Sequence, residues 1–325
     1  MASEKKETRT QSISPRKLQQ LLVVVLVSFL LLFIPKPVEM TSSPEPVVVD
    51  TESRLIYLPP PANIPIKTGV EPLPAFTARG VIVYDPLSNI TLYENNADLH
   101  LLPASTTKMM TAIVAMEHYD LDQVITITEE ERTIGNTMHL NRGEQLSVRN
   151  LLSGLLISSA NDAALALALA YPNTGYSGFI SAMNEKAREL GLKNTNFRNV
   201  SGVESLNHYS SARDLAFLAK YALKNKLFKE IVSTQSTLIP STSQTPSRVL
   251  KNTNALLGSV DGVFGVKTGW TENAGECLVT AVERDGQTLI IVVLGSQDRF
   301  GESQSLLEWA FNNYTWKDPL ERIKS

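Results

Sequence analysis

Ten of the 17 prolines in this chain fall between Pro35 and Pro74. Proline lacks a backbone N–H and favours extended polyproline conformation, so neither a helix nor an inner strand is expected there. The stretch over residues 39–75 reads as a semi-rigid linker whose reach is bounded by about 3.1 Å per residue. No compositional break follows it. One globular domain is expected from Phe76 to Trp316, with a tail over residues 317–325. Of the 325 residues, 43% are apolar and 19% charged, proportions suited to burying a core.

The other side of the prolines speaks to location. Lys5, Lys6, Arg9, Arg16 and Lys17 precede an apolar run from Leu21 to Ile34, and Glu39, Glu45, Asp50 and Glu52 come after it. Positive charge on the N-terminal flank predicts a cytoplasmic tail over residues 1–17 and the globular domain outside. The run spans about 21 Å at roughly 1.5 Å per residue, and Leu18 and Val38 extend it into a signal-anchor over residues 18–38. No Ala-x-Ala-like cleavage site is present after Ile34, so single-pass anchoring in the cell membrane is expected, with secretion if the segment is removed.

A net charge of −3 gives no reason to expect nucleic-acid binding. Cys277 is the single cysteine, which excludes an intramolecular disulfide and a cysteine-built metal site. His100, His118, His139 and His208 lack the spacing of a zinc motif. No cofactor and no metal are expected.

Within the domain, Thr77–Tyr84 and Ile90–Tyr93 flank a turn at Asp85–Asn89 and read as a hairpin. Helical periodicity covers Thr107–His118, Ser147–Ser158, Asp162–Ala170, Ser177–Leu190, Ser211–Lys224 and Ser303–Asn312, with Ser147 and Ser177 placed as N-caps. Strand-like runs cover Gly265–Trp270, Cys277–Val282 and Thr288–Leu294, the last two joined through Asp285-Gly286 as a second hairpin. The order implies an α/β (α+β) fold, a mostly antiparallel sheet flanked by helices.

Three short patterns carry chemistry, and each occurs more than once. Ser-x-x-Lys appears at Ser3, Ser14 and Ser105, but only Ser105-Thr106-Thr107-Lys108 opens an apolar helical run. There Lys108 shares a helix face with Ser105, and helix-terminal N–H groups lie close to the hydroxyl. Ser159-Ala160-Asn161 breaks two apolar helices with side chains that are costly to bury idle; Ser205-Leu206-Asn207 lies in a polar loop. Lys267-Thr268-Gly269-Trp270 sits on a strand whose glycine admits a close backbone approach, whereas Lys67-Thr68-Gly69 is surrounded by prolines.

In that order, and with Leu102-Pro103-Ala104, His208–Asp214, Trp270-Thr271, Ala274-Gly275 and Cys277-Leu278, the chain resembles the low-molecular-weight penicillin-binding proteins. Within them it is similar to the serine-type D-alanyl-D-alanine carboxypeptidases, over about Phe76 to Tyr314. The resemblance implies a β-lactamase/transpeptidase-like fold and removal of the terminal D-alanine from peptidoglycan stem peptides. β-Lactam antibiotics are implied as covalent inhibitors. It further implies that Ser105 is the nucleophile, Lys108 its base, Ser159 and Asn161 the proton relay and substrate anchors. Lys267 and Thr268 would bind the terminal carboxylate, and the Ser105 and Trp270 N–H groups would form the oxyanion hole beside Gly269. His208–Asp214 and Cys277 are read as structural.

Two departures stand out. Neither the second β-rich domain nor the C-terminal anchor of many relatives is expected after this domain. Thr253 stands where some members carry an arginine, which leaves carboxylate binding to Thr268, Lys267 or Arg248. A β-lactamase would need a deacylating glutamate in Glu-x-x-Leu-Asn, and Glu204-Ser205-Leu206-Asn207 is one residue short of it. A D,D-endopeptidase or transpeptidase would share every motif, and a non-enzymatic wall-binding module would be expected to lack Ser105 or Lys108.

Overall fold

The computed structural model describes residue 16 and residues 62–128, 135–240 and 246–319. All but the first belong to the compact unit Pro59–Ser325. The apolar run Leu21–Ile34 lies outside the described residues. Among the described residues no helix is long and apolar enough to cross a membrane.

In chain order the strands are β1 (Ile64–Lys67), β2 (Gly80–Asp85), β3 (Ile90–Asn95), β4 (Val124–Thr126), β5 (Gln145–Ser147), β6 (Ser236–Ile239), β7 (Arg248–Lys251), β8 (Val263–Thr271), β9 (Gly275–Arg284), β10 (Gln287–Ser296) and β11 (Tyr314–Lys317). The helices are α1 (Lys108–His118), α2 (Val148–Ile157), α3 (Asn161–Leu169), α4 (Gly175–Glu189), α5 (Ala212–Ala222), α6 (Lys226–Ser233) and α7 (Arg299–Asn313). Strands β3-β2-β10-β9-β8 form one antiparallel sheet, in which β8 is an edge.

The central strands read as unbroken apolar runs because both faces are covered. Leu289, Ile291 and Val293 of β10 pack with Leu306, Leu307 and Ala310 of α7. Ile290, Val292 and Leu294 point the other way, into a larger core with α1 to α5. The β9–β10 hairpin turns at Asp285 and Gly286, both at positive φ, the conformation for which Asp-Gly is suited.

Local rules account for most boundaries. Ser147 caps α2, its hydroxyl accepting from the Asn150 N–H, as expected. Helix α4 instead starts at Gly175 behind Thr174, and the Ser177 hydroxyl donates to the Thr174 carbonyl. Helix α7 starts four residues ahead of Ser303, capped by Asp298 accepting from the Gly301 N–H at 2.9 Å. Part of the expected linker is also ordered on the domain: Ile64–Lys67 pairs antiparallel with Tyr314–Lys317. Gly69 passes so close that a Cβ there would lie 2.5 Å from the Asn312 carbonyl oxygen. A two-stranded ladder tolerates Pro65, whose missing donor would break an inner strand.

Candidate active site

The site begins where a short 3-10 turn, Ala104–Thr107, runs into α1. Ala104 takes a left-handed φ of 47°, a strained value for a residue with a Cβ. Gly202 packs onto it from the loop after Asn199; a Cβ on Gly202 would lie 1.8 Å from the Ala104 carbonyl oxygen. One helical turn then brings Lys108 Nζ to 2.8 Å from Ser105 Oγ, and the same nitrogen donates to the Ser201 carbonyl at 2.8 Å. Lys108 is fully buried. Burial first, and the nearby Lys267 second, hold its pKa well below the ordinary lysine value, against the opposing pull of Asp162. An amine deprived of its proton beside a hydroxyl is a base–nucleophile pair.

The edge strand β8 forms one wall. Lys267 is 1% exposed, with Nζ donating to the Thr268 carbonyl at 3.0 Å. Burial, then the Arg299 charge, lower its pKa to about 7. Thr268 Oγ1 lies 2.6 Å from Thr253 Oγ1. Gly269 is pressed against the turn: an added Cβ would stand 2.9 Å from the Ser105 nitrogen and 3.2 Å from the Pro103 carbonyl oxygen. Neither neighbour is a flexible chain end. Gly269→Ala is therefore expected to displace Ser105 and slow its acylation by about 10²-fold, measured with a labelled penicillin. Trp270 comes next, 62% exposed at the cleft mouth.

The opposite wall is the break between α2 and α3. Ser159 sits there at φ 62°, and Ser159 and Asn161 are both buried. The Asn161 N–H donates to the Asn136 carbonyl at 2.7 Å, and the Asp162 carboxylate accepts from the Met138 and Leu140 N–H groups. The break is thus stitched to the segment Asn136–Leu140. Ser105, Ser159, Asn161, Thr268, Gly269 and Trp270 line a single cleft of about 610 Å³, with Lys108 and Lys267 buried behind its surface. All eight residues singled out from the sequence converge here. Of the rival copies, Lys67 ends β1 and Ser205–Asn207 lies in a loop away from the cleft; Ser3 and Ser14 fall outside the described residues.

One candidate is displaced. Arg248 does not line the cleft; its guanidinium bonds both oxygens of Glu144 at 2.8 and 2.7 Å and the carbonyls of Met138 and His139. A planar five-donor group suits such a cluster of acceptors. It fastens the Met138–His139 segment instead of meeting a ligand. With Glu144 4% exposed and the Arg248 side chain 10%, Arg248→Ala is expected to cost about 3–5 kcal/mol in chemical denaturation, because it strands a buried carboxylate.

Arg299 is a cation of the cleft that no sequence motif singled out. It lines the cleft, donates to the Gly269 carbonyl at 3.0 Å, and its buried Nε has no hydrogen-bond partner among the described residues. Nothing local marks it: it stands beside a helix cap, 30 residues downstream of Gly269. The remaining family-typical residues are structural. His208 Nδ1 accepts from the Arg198 N–H while Nε2 bonds Thr107 Oγ1 at 2.9 Å, and burial lowers its pKa to about 4. Arg213 pairs with Glu94 and Asp98. Cys277 is fully buried, with its thiol pushed up to about 11 by burial.

Comparison with known proteins identifies the family. Residues 67–298 match the family model of the D-alanyl-D-alanine carboxypeptidases, peptidase S11. D-alanyl-D-alanine carboxypeptidase DacF of Bacillus subtilis is 34% identical over 249 residues, 74% of this chain and 64% of that protein. DacC of Escherichia coli is 34% identical over 83% of this chain and 70% of its own length. The crystal structure of the Streptomyces K15 DD-transpeptidase superposes with a TM-score of 0.71 at 35% identity, covering 74% of this chain and 99% of that one. The fold is that of the penicillin-binding and β-lactamase-like DD-peptidases, and the chain belongs to the serine-type D-alanyl-D-alanine carboxypeptidase family, peptidase S11.

Proposed function

We propose that this cleft removes the terminal D-alanine from peptidoglycan stem peptides through an acyl-enzyme on Ser105. The carrying observation is the buried Lys108 Nζ, 2.8 Å from Ser105 Oγ and depressed in pKa by burial and by Lys267. Neutral Lys108 takes the Ser105 proton as Oγ attacks the carbonyl carbon of the D-Ala–D-Ala bond. The Ser105 and Trp270 N–H groups receive the oxyanion. When the C–N bond breaks, the leaving amine takes a proton from Lys108 through the Ser159 hydroxyl, while Asn161 orients the donor peptide. Water then attacks the ester, and Ser105 regains its proton.

The terminal carboxylate is assigned to Thr268, with Lys267 and Arg299 supplying positive charge from below and beside it. Arg299 takes the part that Arg248, held by Glu144, does not. A β-lactam would acylate Ser105 by the same attack. The apolar run Leu21–Ile34 with its positive N-terminal flank supports action outside the cell membrane, tethered by that segment.

Incubating the purified full chain with a pentapeptide ending in D-Ala–D-Ala tests the assignment. Free D-alanine and a tetrapeptide are expected. A peptide transferred to an added amine without net hydrolysis would make it a transpeptidase, and absence of both products would overturn the reading.

A further inference from the structure

Glu204 belongs to the loop that carries Ser201 and Gly202, yet its carboxylate bonds the β8 side of the cleft. It accepts from the Asn273 backbone N–H at 2.8 Å and from the Asn273 side-chain amide. Asn273 comes after Trp270, in the turn between β8 and β9. At its root the loop is stiff. Asn199 Oδ1 accepts from the Ser201 and Gly202 N–H groups, its Nδ2 donates to the Val203 carbonyl, and Thr111 Oγ1 donates to the Val200 carbonyl.

We propose that Glu204 is a positioning residue that ties the 199–204 loop to the β8 wall of the cleft and sets the spacing of the two beside Ser105. The chain of contacts closes a ring. Lys108 bonds the Ser201 carbonyl of the loop; Gly269 of β8 packs on the Ser105 nitrogen; Glu204 joins the loop to the β8–β9 turn. Opening the ring leaves the Ser105–Lys108 pair in place and lets β8 drift from it. Substrate or β-lactam lying against Thr268–Trp270 then meets Ser105 at a poorer angle, which acts on acylation before it acts on stability. Hydrogen bonding, from Thr271 first and then from Asn273, also holds the carboxyl below its usual range, so the bridge is charged at neutral pH.

The inference rests on acylation at Ser105, and the test keeps the two separable. Glu204→Ala, Glu204→Gln, Asn273→Ala and the double variant Glu204→Ala/Asn273→Ala are compared for the second-order rate of acylation by a labelled penicillin and for Tm. Amide hydrogen exchange of residues 201–204 and 271–274 is followed in parallel. For Glu204→Ala we expect acylation on the order of tenfold slower, an unchanged Tm and faster exchange in both segments. Glu204→Gln should fall between it and the wild type, and the double variant should be no slower than Glu204→Ala. Wild-type acylation and exchange in Glu204→Ala would overturn the proposal, as would a rate loss that merely tracks a fall in Tm. A wild-type chain that is not acylated would instead overturn the function proposed above, and the exchange data would still decide whether the bridge holds the loop to β8.

Discussion

Ser105→Ala is expected to abolish acylation by penicillin and to lower D-alanine release by on the order of 10⁶-fold. The fold should be retained, because Ser105 Oγ contributes one contact, with Lys108 Nζ, while Ala104, Thr106 and Thr107 of the same turn hold its packing. Thr106 Oγ1 still donates to the Pro103 carbonyl at 2.6 Å and Thr107 still meets His208. Activity and stability are thus expected to separate fully in this variant: no acylated protein at any penicillin concentration, with a Tm near that of the wild type. Ser159 lines the opposite wall, at the α2–α3 break, and lacks a lysine one helical turn away.

Lys108→Arg is the second large effect, and it separates charge from basicity. A guanidinium keeps a positive charge but cannot lose its proton near neutral pH. If Lys108 served only as a nearby cation, arginine would serve too. If it takes the Ser105 proton, acylation falls by about 10²–10⁴-fold. The same reasoning fixes a pH dependence. Lys108 is competent only when neutral, so acylation rises as pH climbs through its lowered pKa. Lys267 is one cause of that lowering. Lys267→Met keeps the site dry and removes the charge, so the Lys108 pKa should climb and the rising limb should move to higher pH. A limb that stays in place would mean burial alone depresses Lys108.

The motifs were legible because each reads its own surroundings. Ser105 was separable from Ser3 and Ser14 by the apolar turn behind it, and Lys267 from Lys67 by the prolines around the latter. The central strands were visible as Val/Leu/Ile runs because the sheet is covered on both faces. What escaped was set by partners far along the chain. Ile64–Lys67 looked like linker since its ladder partner, Tyr314–Lys317, lies at the other end of the domain. Helix α7 hid its first turn behind Gly301, where only the Asp298 cap marks the start. Arg248 and Arg299 escaped for the same reason. Arg248 is claimed by Glu144 and two carbonyls, while Arg299 lines the cleft with its Nε unpartnered among the described residues. Neither outcome is encoded within a few residues of the arginine itself.

The central claim is that Ser105, activated by a buried and neutral Lys108, is the residue that becomes acylated. Intact-protein mass spectrometry after mixing the full chain with benzylpenicillin, with subsequent peptide mapping, tests it directly. The expected result is a single adduct of one penicillin per chain, located on Ser105 and absent from Ser105→Ala. An adduct on any other residue, or an unmodified chain in a sample that retains its native fold, would contradict the account.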